Sequence, residues 1–447
     1  MRDKEIQALS ARQALVYVKD EAAGKLTMVA TDEFSFAYNE TYIQSKGTPI
    51  SLRLPLRREP YISEYLHPFF DNLLFEGEQL RLAEKKFGLN RRSSVDRFKL
   101  LMLTGQFTLN AVSILPLVNN EALQLESESQ ALERVRLYPL MPAYQGSCSI
   151  CLKVNPQGEH KTCHKALWET DRPIQMEAFI EEPMNIFRTF IAGQSISGAQ
   201  RKALFHLDKF KHLKRQGFPQ YILKPDGDFP EMPANEHLTL SIAKELNFPV
   251  PPIGLYRVDE IGLVCVVKRF DWTKKTGYQP IEDMAQLNEE QAERKDQGTL
   301  EAIGRTIETH TQSPAIEHAD FFRRILFAFV TGNGDMHLKN WSIYRDAKSG
   351  FLKLAPLYYY LNVRASFPQE QVESVLPLNG KQKNITRVDF EAFAKTIGVK
   401  PGFVQSCFSS LPHWHAVIQN FLVRSALSEK IKVRYDDIVK QRLQALQ

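Results

Sequence analysis

The chain has 447 residues, too many for one hydrophobic core, and should divide into two or three packed units. Apolar residues make up 43% and charged residues 24%, a globular balance, and a net charge of +5 is small enough for this length that any nucleic-acid role would need a local basic patch. No stretch approaches the ~18 apolar residues needed to span a bilayer. The charged start Met1-Arg2-Asp3-Lys4-Glu5 lacks the apolar run of a signal peptide, and five cysteines are not a disulfide framework in a chain of this size, so a cytoplasmic protein without a membrane partner is expected.

In chain order, residues 14–18 form a short run of β-formers, and residues 33–38 and 51–56 alternate with period two, the pattern of half-buried strands. A charged helix is expected over residues 77–87, and residues 111–116 read as a strand stopped by Pro116. Residues 119–134, rich in Glu, Gln and Ser, read as a linker or a solvated helix. Strands around one helix are expected from Ser195 to Phe270, and mainly helices from Asp283 onward. Phe322, Ile325, Leu326 and Phe329 share one face of a helix over residues 320–330. A β-rich lobe followed by a helical lobe is the layout of a protein kinase.

Three segments suit phosphoryl transfer. Residues 330–341 (VTGNGDMHLKNW) lie between an apolar helix and a short strand, and put Asp335 and Asn340 five apart in a loop. Phosphoryl transfer needs a carboxylate to orient the hydroxyl proton and a side-chain oxygen to hold Mg²⁺; the alternative is a turn in which both residues cap local backbone. Residues 220–225 (QYILKP) end a strand in Lys224, able to reach phosphates as a point charge, and Glu236 opens a following helix where a lysine-orienting carboxylate belongs. Otherwise Lys224 is an exposed strand end and Glu236 an ordinary first-turn acid. Residues 193–202 (GQSISGAQRK) could offer backbone N–H groups to phosphates or be a plain surface turn.

Cys148 and Cys151 are followed by His160 and Cys163, two ligand pairs each with two intervening residues, as in a tetrahedral Cys₃His zinc site. The site looks closed, hence structural. His164 is a competing ligand, and free thiols are the alternative. Cys265 and Cys407 sit in apolar contexts and read as core. The basic clusters at Arg57-Arg58 and Arg91-Arg92 could touch DNA phosphates or simply be solvated surface.

Taken together, the segment from Ser195 to Lys202, the strand ending at Lys224, Glu236, residues 267–271 and the loop from Gly334 to Asn340 resemble the HipA family of serine/threonine kinase toxins. Leu54-Pro55-Leu56 and residues 69–74 resemble the HipA N-terminal subdomain, which is a separate small protein, HipS, in three-gene systems. The resemblance implies an α+β fold: a two-lobed, protein-kinase-like structure with an N-terminal α/β subdomain and a small zinc knuckle. It divides the chain into a HipS-like unit (1–118), a linker (119–142), the Cys₃His knuckle (143–175), a kinase N-lobe (176–272) and a helical C-lobe (273–447).

By the same resemblance, Asp335 is the catalytic base, His337 of the same loop counts among the catalytic residues, and Asn340 is both a catalytic residue and a magnesium ligand. ATP is contacted by Ser195, Ser197, Gly198, Gln200, Lys224 and Glu236, with Val267, Arg269 and Phe270 near the adenine. Ser195 or Ser197 is an autophosphorylation candidate. The implied partners are a HipB-like DNA-binding antitoxin, with DNA reached only through it, and a protein substrate such as an aminoacyl-tRNA synthetase. One position departs from the family. Tyr359 stands where the magnesium-binding Asp is expected, and a phenol with a pKa near ~10 is a poor ligand for a hard cation. A kinase with impaired catalysis, acting as a nucleotide- or antitoxin-binding module, is therefore the competing expectation.

Overall fold

The computed structural model describes residues 3–19, 21–108, 110–125, 132–139, 146–156, 158–179, 202–214, 219–227, 231–259, 261–275 and 277–447. The first unit is built on a six-stranded sheet of β1 (Gln13–Val18), β2 (Glu21–Ala30), β3 (Glu33–Tyr38), β4 (Tyr61–Ser63), β5 (Val112–Val118) and β6 (Glu121–Ala122), in the order β4-β3-β2-β1-β5-β6. The alternation read in the sequence is realised: Phe34, Phe36 and Tyr38 of β3 are buried on one face. They pack on Phe69, Phe70 and Phe98, the last from the helix Ser94–Thr104, in a separate apolar core.

Two expectations fail in this unit. Residues 51–56 do not form a strand, because their only pairing there is an isolated bridge between Ser51 and Leu54, and the polar groups of this turn are used elsewhere. Pro116 does not stop β5, which runs on to Val118 with Pro116 opposite Ala14 and its carbonyl accepting from the Leu123 amide. The stretch expected to be a linker also holds a strand, β7 (Leu132–Pro139), recruited by pairing with β8 (Gln175–Phe179) and β12 (Ile253–Val258).

With β9 (Ala203–Leu207), β10 (His212–Lys214), β11 (Tyr221–Pro225) and β13 (Gly262–Lys268), these strands close a barrel in the order β10-β8-β7-β12-β13-β11-β9. Its core includes Trp168, Phe205, Tyr221, Leu223 and Tyr256. The helix Met232–Glu245 crosses between β11 and β12. A short hairpin, β14 (Trp272–Thr273) and β15 (Gly277–Tyr278), leads out of the barrel.

The helical lobe is organised around Pro314–Val330. Phe322, Ile325, Leu326 and Phe329 are buried as their spacing predicts, but so are Phe321 and Phe327, because this helix is central and covered nearly all round. A small sheet of β16 (Ile281–Asp283), β17 (Ser342–Arg345) and β18 (Leu352–Leu354) sits where this lobe meets the other two units. Helices Arg387–Thr396, Pro401–Ser409, Leu411–Arg424 and Glu429–Ala445 complete it. Among the described residues, no helix is long and apolar enough to cross a membrane.

Candidate active site and metal centre

A cavity of about 310 Å³ lies where barrel, helical lobe and first unit meet. Lys224, Glu236, Asp335 and Asn340, drawn from a strand, a helix and a loop, line it together with His337, Val267, Arg269 and Phe270. The convergence that the sequence spacing demanded is therefore present. Ser195, Ser197, Gly198 and Gln200 lie outside the described residues.

Lys224 is the penultimate residue of β11, and pairing of β11 with β13 on one side and β9 on the other fixes its direction. Its Nζ donates to Glu236 Oε1 at 2.5 Å, and both side chains are almost completely buried. Among the described residues, Glu236 Oε2 has no hydrogen-bond partner.

The loop after Pro314–Val330 begins at Thr331, whose hydroxyl donates back to the Phe327 carbonyl, and turns at Gly332 with φ of 71°. A Cβ there would meet Asn362 Oδ1 at 2.7 Å, so the turn needs glycine on two counts. Asn340 Nδ2 donates to the Asp335 carbonyl at 2.7 Å and the His337 amide to the same oxygen at 2.9 Å, which folds the loop onto itself. Burial pushes the Asp335 carboxyl up to about 6, against the pull of Lys295. Burial also pushes His337 down to about 3, so it is a neutral imidazole at ordinary pH.

Tyr359 occupies the same cavity, with φ of 64°. Its carbonyl accepts from Asn333 Nδ2 at 3.1 Å, which ties it to the loop. Lys202 Nζ donates to its hydroxyl at 3.0 Å, and the ammonium of Lys224 sits 4.4 Å from its ring centroid. Burial, followed by the charge of Lys224, pulls the Lys202 pKa well below the ordinary lysine value. The other carboxylates lining the cavity are engaged: Asp271 holds Arg269 at 2.6 Å, and Asp283 caps the helix Met284–Leu287 by accepting from the Gln286 amide at 2.8 Å. Among the described residues the cleft gathers no set of three metal-ligating groups. Asn340, a phenol and a nearby ammonium do not fit a magnesium centre.

Phe270 lies 6.1 Å from Tyr358 in a stacked arrangement, at the junction of the lobes. Arg269 lines the cavity with a guanidinium already held by Asp271 on one side and the Tyr278 ring on the other.

No motif or periodicity singles out Glu76. This residue of the first unit accepts from Lys295 at 2.7 Å and pairs with Lys339, in the loop itself, at 3.0 Å. Asn72 adds its carbonyl and Oδ1 to Lys339 Nζ at 3.1 and 3.0 Å. Farther along the same interface, Ser51 Oγ and the Leu52 amide donate to the buried carboxylate of Glu282 at 2.6 and 2.7 Å, and Asn110 Nδ2 donates to the Ile281 carbonyl. These contacts span more than 150 residues of sequence, and periodicity and motif spacing carry no trace of them.

The cysteine cluster assembles as its spacing predicts. One ligand atom each from Cys148, Cys151, His160 and Cys163 lies within 4.8 Å of all the others. Gly146 and Leu152, both at positive φ, frame a turn closed by the bridge of Ser147 with Val154. Hydrogen bonds from the Cys151 and Cys163 thiols pull the Cys148 pKa down, and the same bonds push those of Cys151 and Cys163 up. His164 is not part of it: its Nδ1 is 2.7 Å from Glu159 and its Nε2 3.1 Å from the Arg172 carbonyl. The knuckle is joined to the barrel by the Leu255 amide on the Ser149 carbonyl, and to the helix carrying Glu236 by His237 Nε2 on the Ile150 carbonyl. Cys265 and Cys407 are buried core residues. In the basic clusters Arg58 pairs with Glu40, Arg91 with Glu84, and Arg57 lies over the Tyr61 ring.

Comparison with known proteins matches residues 194–417 to the HipA-like C-terminal domain and residues 14–115 to the HipA N-terminal domain. Two proteins of Sinorhizobium fredii, whose names propose a kinase, align over most of the chain. One is 27% identical over 390 residues, 80% of this chain and 78% of its own; the other is 25% identical over 419 residues, 88% and 87%. A protein of Haemophilus influenzae named in the same way is 35% identical over 185 residues, 38% of this chain and 53% of its own. The fold is similar to that of HipA from Shewanella oneidensis, solved with HipB and operator DNA, at a TM-score of 0.68 and 19% identity over 97% of both chains.

Proposed function

Given that this chain belongs to the HipA family of kinase toxins, we propose that its interlobe cleft binds a nucleoside triphosphate such as ATP and that phosphoryl transfer from it is impaired. On this reading the chain works chiefly as a nucleotide-binding module within a toxin–antitoxin complex. The observation that carries it is the Tyr359 hydroxyl, 3.0 Å from Lys202 Nζ, in the place expected for an anionic metal ligand. Phosphoryl transfer is catalysed mainly by positioning and by neutralising charge on the phosphates. Lys224, oriented by Glu236, still suits binding, and Asp335 still suits orientation of a hydroxyl.

A second reading is an active serine/threonine kinase toxin that autophosphorylates Ser195 or Ser197 and modifies a translation-related protein, such as an aminoacyl-tRNA synthetase. It is favoured by the intact Lys224–Glu236 pair and by Asp335, whose carboxyl sits near 6, high enough to accept a hydroxyl proton and return it. Incubation with ATP and Mg²⁺ followed by phosphosite mass spectrometry separates the two. Wild-type protein should stay unphosphorylated at Ser195 and Ser197, and Tyr359→Asp should gain phosphate there. Ready phosphorylation of the wild type would establish the second reading instead.

A HipB-like DNA-binding antitoxin is the proposed partner, with DNA met only through it; the Shewanella complex supports this by fold. A structural zinc ion is proposed at Cys148, Cys151, His160 and Cys163, whose spacing and mutual approach suit Zn–S and Zn–N bonds of about 2.0–2.3 Å. A cytoplasmic location follows from the same reading.

A further inference from the structure

The turn that carries Cys148 and Cys151 is closed by its own backbone. The Leu152 amide donates to the Cys148 carbonyl at 2.8 Å, and the Cys148 amide to the Lys153 carbonyl at 2.9 Å. The two carbonyls between the cysteines are used outside the knuckle. That of Ser149 accepts from the Leu255 amide of β12 at 2.8 Å. That of Ile150 accepts from Nε2 of the buried His237 at 3.3 Å. Packing follows the same route. A Cβ at Gly254, beside Leu255, would lie 2.9 Å from Leu167 Cδ2 and 3.2 Å from Ile150 Cγ1, so the bare glycine backbone lets these knuckle residues pack directly on the strand.

Both contacts lead to the Lys224–Glu236 pair. Leu255 stands opposite Cys265 on β13, and Cys265 stands opposite Lys224 on β11, so the three residues form one row across the barrel wall. His237 follows Glu236 on the helix Met232–Glu245. One turn thus holds both the strand row that ends in the lysine and the helix that carries its carboxylate. A kinase-fold cleft needs that pair in place, and a shift of about 1 Å is costly in a site that works by positioning. The two carbonyls are fixed by where Cys148 and Cys151 are held, and a tetrahedral ion holds them rigidly. We propose that the knuckle is a positioning element of the cleft: with zinc on its four ligands, the Ser149–Ile150 turn and His237 keep Glu236 aligned on Lys224, and loss of the metal releases that alignment and weakens nucleotide binding. This rests on the zinc and nucleotide-cleft readings above and adds the coupling between them.

The test compares the full chain zinc-loaded, stripped with a chelator, and stripped then reloaded with ZnCl₂. Amide hydrogen exchange reads the helix Met232–Glu245, with the helix Pro314–Val330 as the reference for global folding. Calorimetric titration with a non-hydrolysable ATP analogue reads the cleft. Stripping should speed exchange in the first helix and weaken the analogue, each by about tenfold, and leave the reference helix unchanged; reloading should restore both. His237→Phe should keep its zinc yet show the same two changes. His237→Gln, which retains a donor toward Ile150, should return to within about threefold of wild type. Unchanged exchange and affinity on stripping overturn this inference and leave the nucleotide cleft standing, and a folded chain that takes up no zinc overturns it as well. An analogue that binds no form removes the nucleotide reading; faster exchange confined to the first helix then still upholds the coupling, and unchanged exchange ends it. If stripping loosens both helices alike, zinc-loaded His237→Phe decides: loosening confined to Met232–Glu245 upholds the inference, and any other pattern overturns it.

Discussion

The carboxylate of Glu76, in the first unit, lies 3.0 Å from the ammonium of Lys339, in the loop between Asp335 and Asn340. Lys339 is buried, and its remaining partners, the Asn72 carbonyl and Oδ1, come from the same unit. Burial works to raise the Glu76 pKa, but Lys339 and Lys295 outweigh it and hold it well below the ordinary value. The loop from Gly334 to Asn340 is therefore seated on the first unit by a charged contact.

Glu76→Gln should cost about 3 kcal/mol of stability, because it leaves two largely buried ammonium groups without their counter-charge. Urea denaturation of the full chain measures this. A loss below about 1 kcal/mol would mean that the pair behaves as an ordinary surface contact.

Glu282 should make the same interface pH-sensitive. Burial raises its carboxyl to about 7, so the folded chain keeps a proton that the unfolded chain releases at lower pH. Its contribution is thus fully present below the unfolded pKa and is lost as pH rises through about 7, a swing on the order of 3 kcal/mol. Glu282→Gln, which still accepts from Ser51 or Leu52, should flatten the fall in stability between about pH 5 and pH 8. An unchanged slope would show that Glu282 is ionised throughout. Asp283 and Asp335, both raised by burial, act in the same direction and leave a residual slope.

For the knuckle, elemental analysis of purified protein should give about one zinc per chain. Cys148→Ser should lose the metal, and His164→Ala should keep it, since His164 is held by Glu159 and the Arg172 carbonyl. Metal loss in the His164 variant would bring that residue into the ligand set.

Gly332→Ala should lower the melting temperature and weaken nucleotide binding together. The left-handed backbone costs about 1–2 kcal/mol for any other residue, and the new methyl would press on Asn362 Oδ1, which caps the helix Val363–Ser366. Differential scanning fluorimetry with and without nucleotide checks this, and an unshifted midpoint would refute it.

Much of the site could be read from local spacing. Asp335 and Asn340 are five apart, the cysteine pairs each enclose two residues, and Lys224 ends an apolar strand, so each declares itself within a few residues. Tyr359 too was legible, as the departure in an otherwise matching segment. The rest depends on distant pairing. β7 is a strand because β8 and β12 flank it, although the sequence up to Arg134 is polar enough to suggest a linker. Residues 51–56 alternate like a strand but spend their polar groups on Glu282, 230 residues away in the chain. Lys202 was visible only as part of a small-residue loop, and its approach to Tyr359 spans 157 residues.

The seating of the first unit also has a consequence in time. Its own core is complete by about Leu125, yet Ser51, Asn72 and Glu76 find their partners only at Glu282, Glu290, Lys295 and Lys339. At a synthesis rate of about 5–20 residues per second, the ribosome would present that surface roughly ten to forty seconds after the first unit could fold. During this interval a formed docking face waits on a nascent chain, open to any other protein that offers a lysine and a carboxylate in the same arrangement.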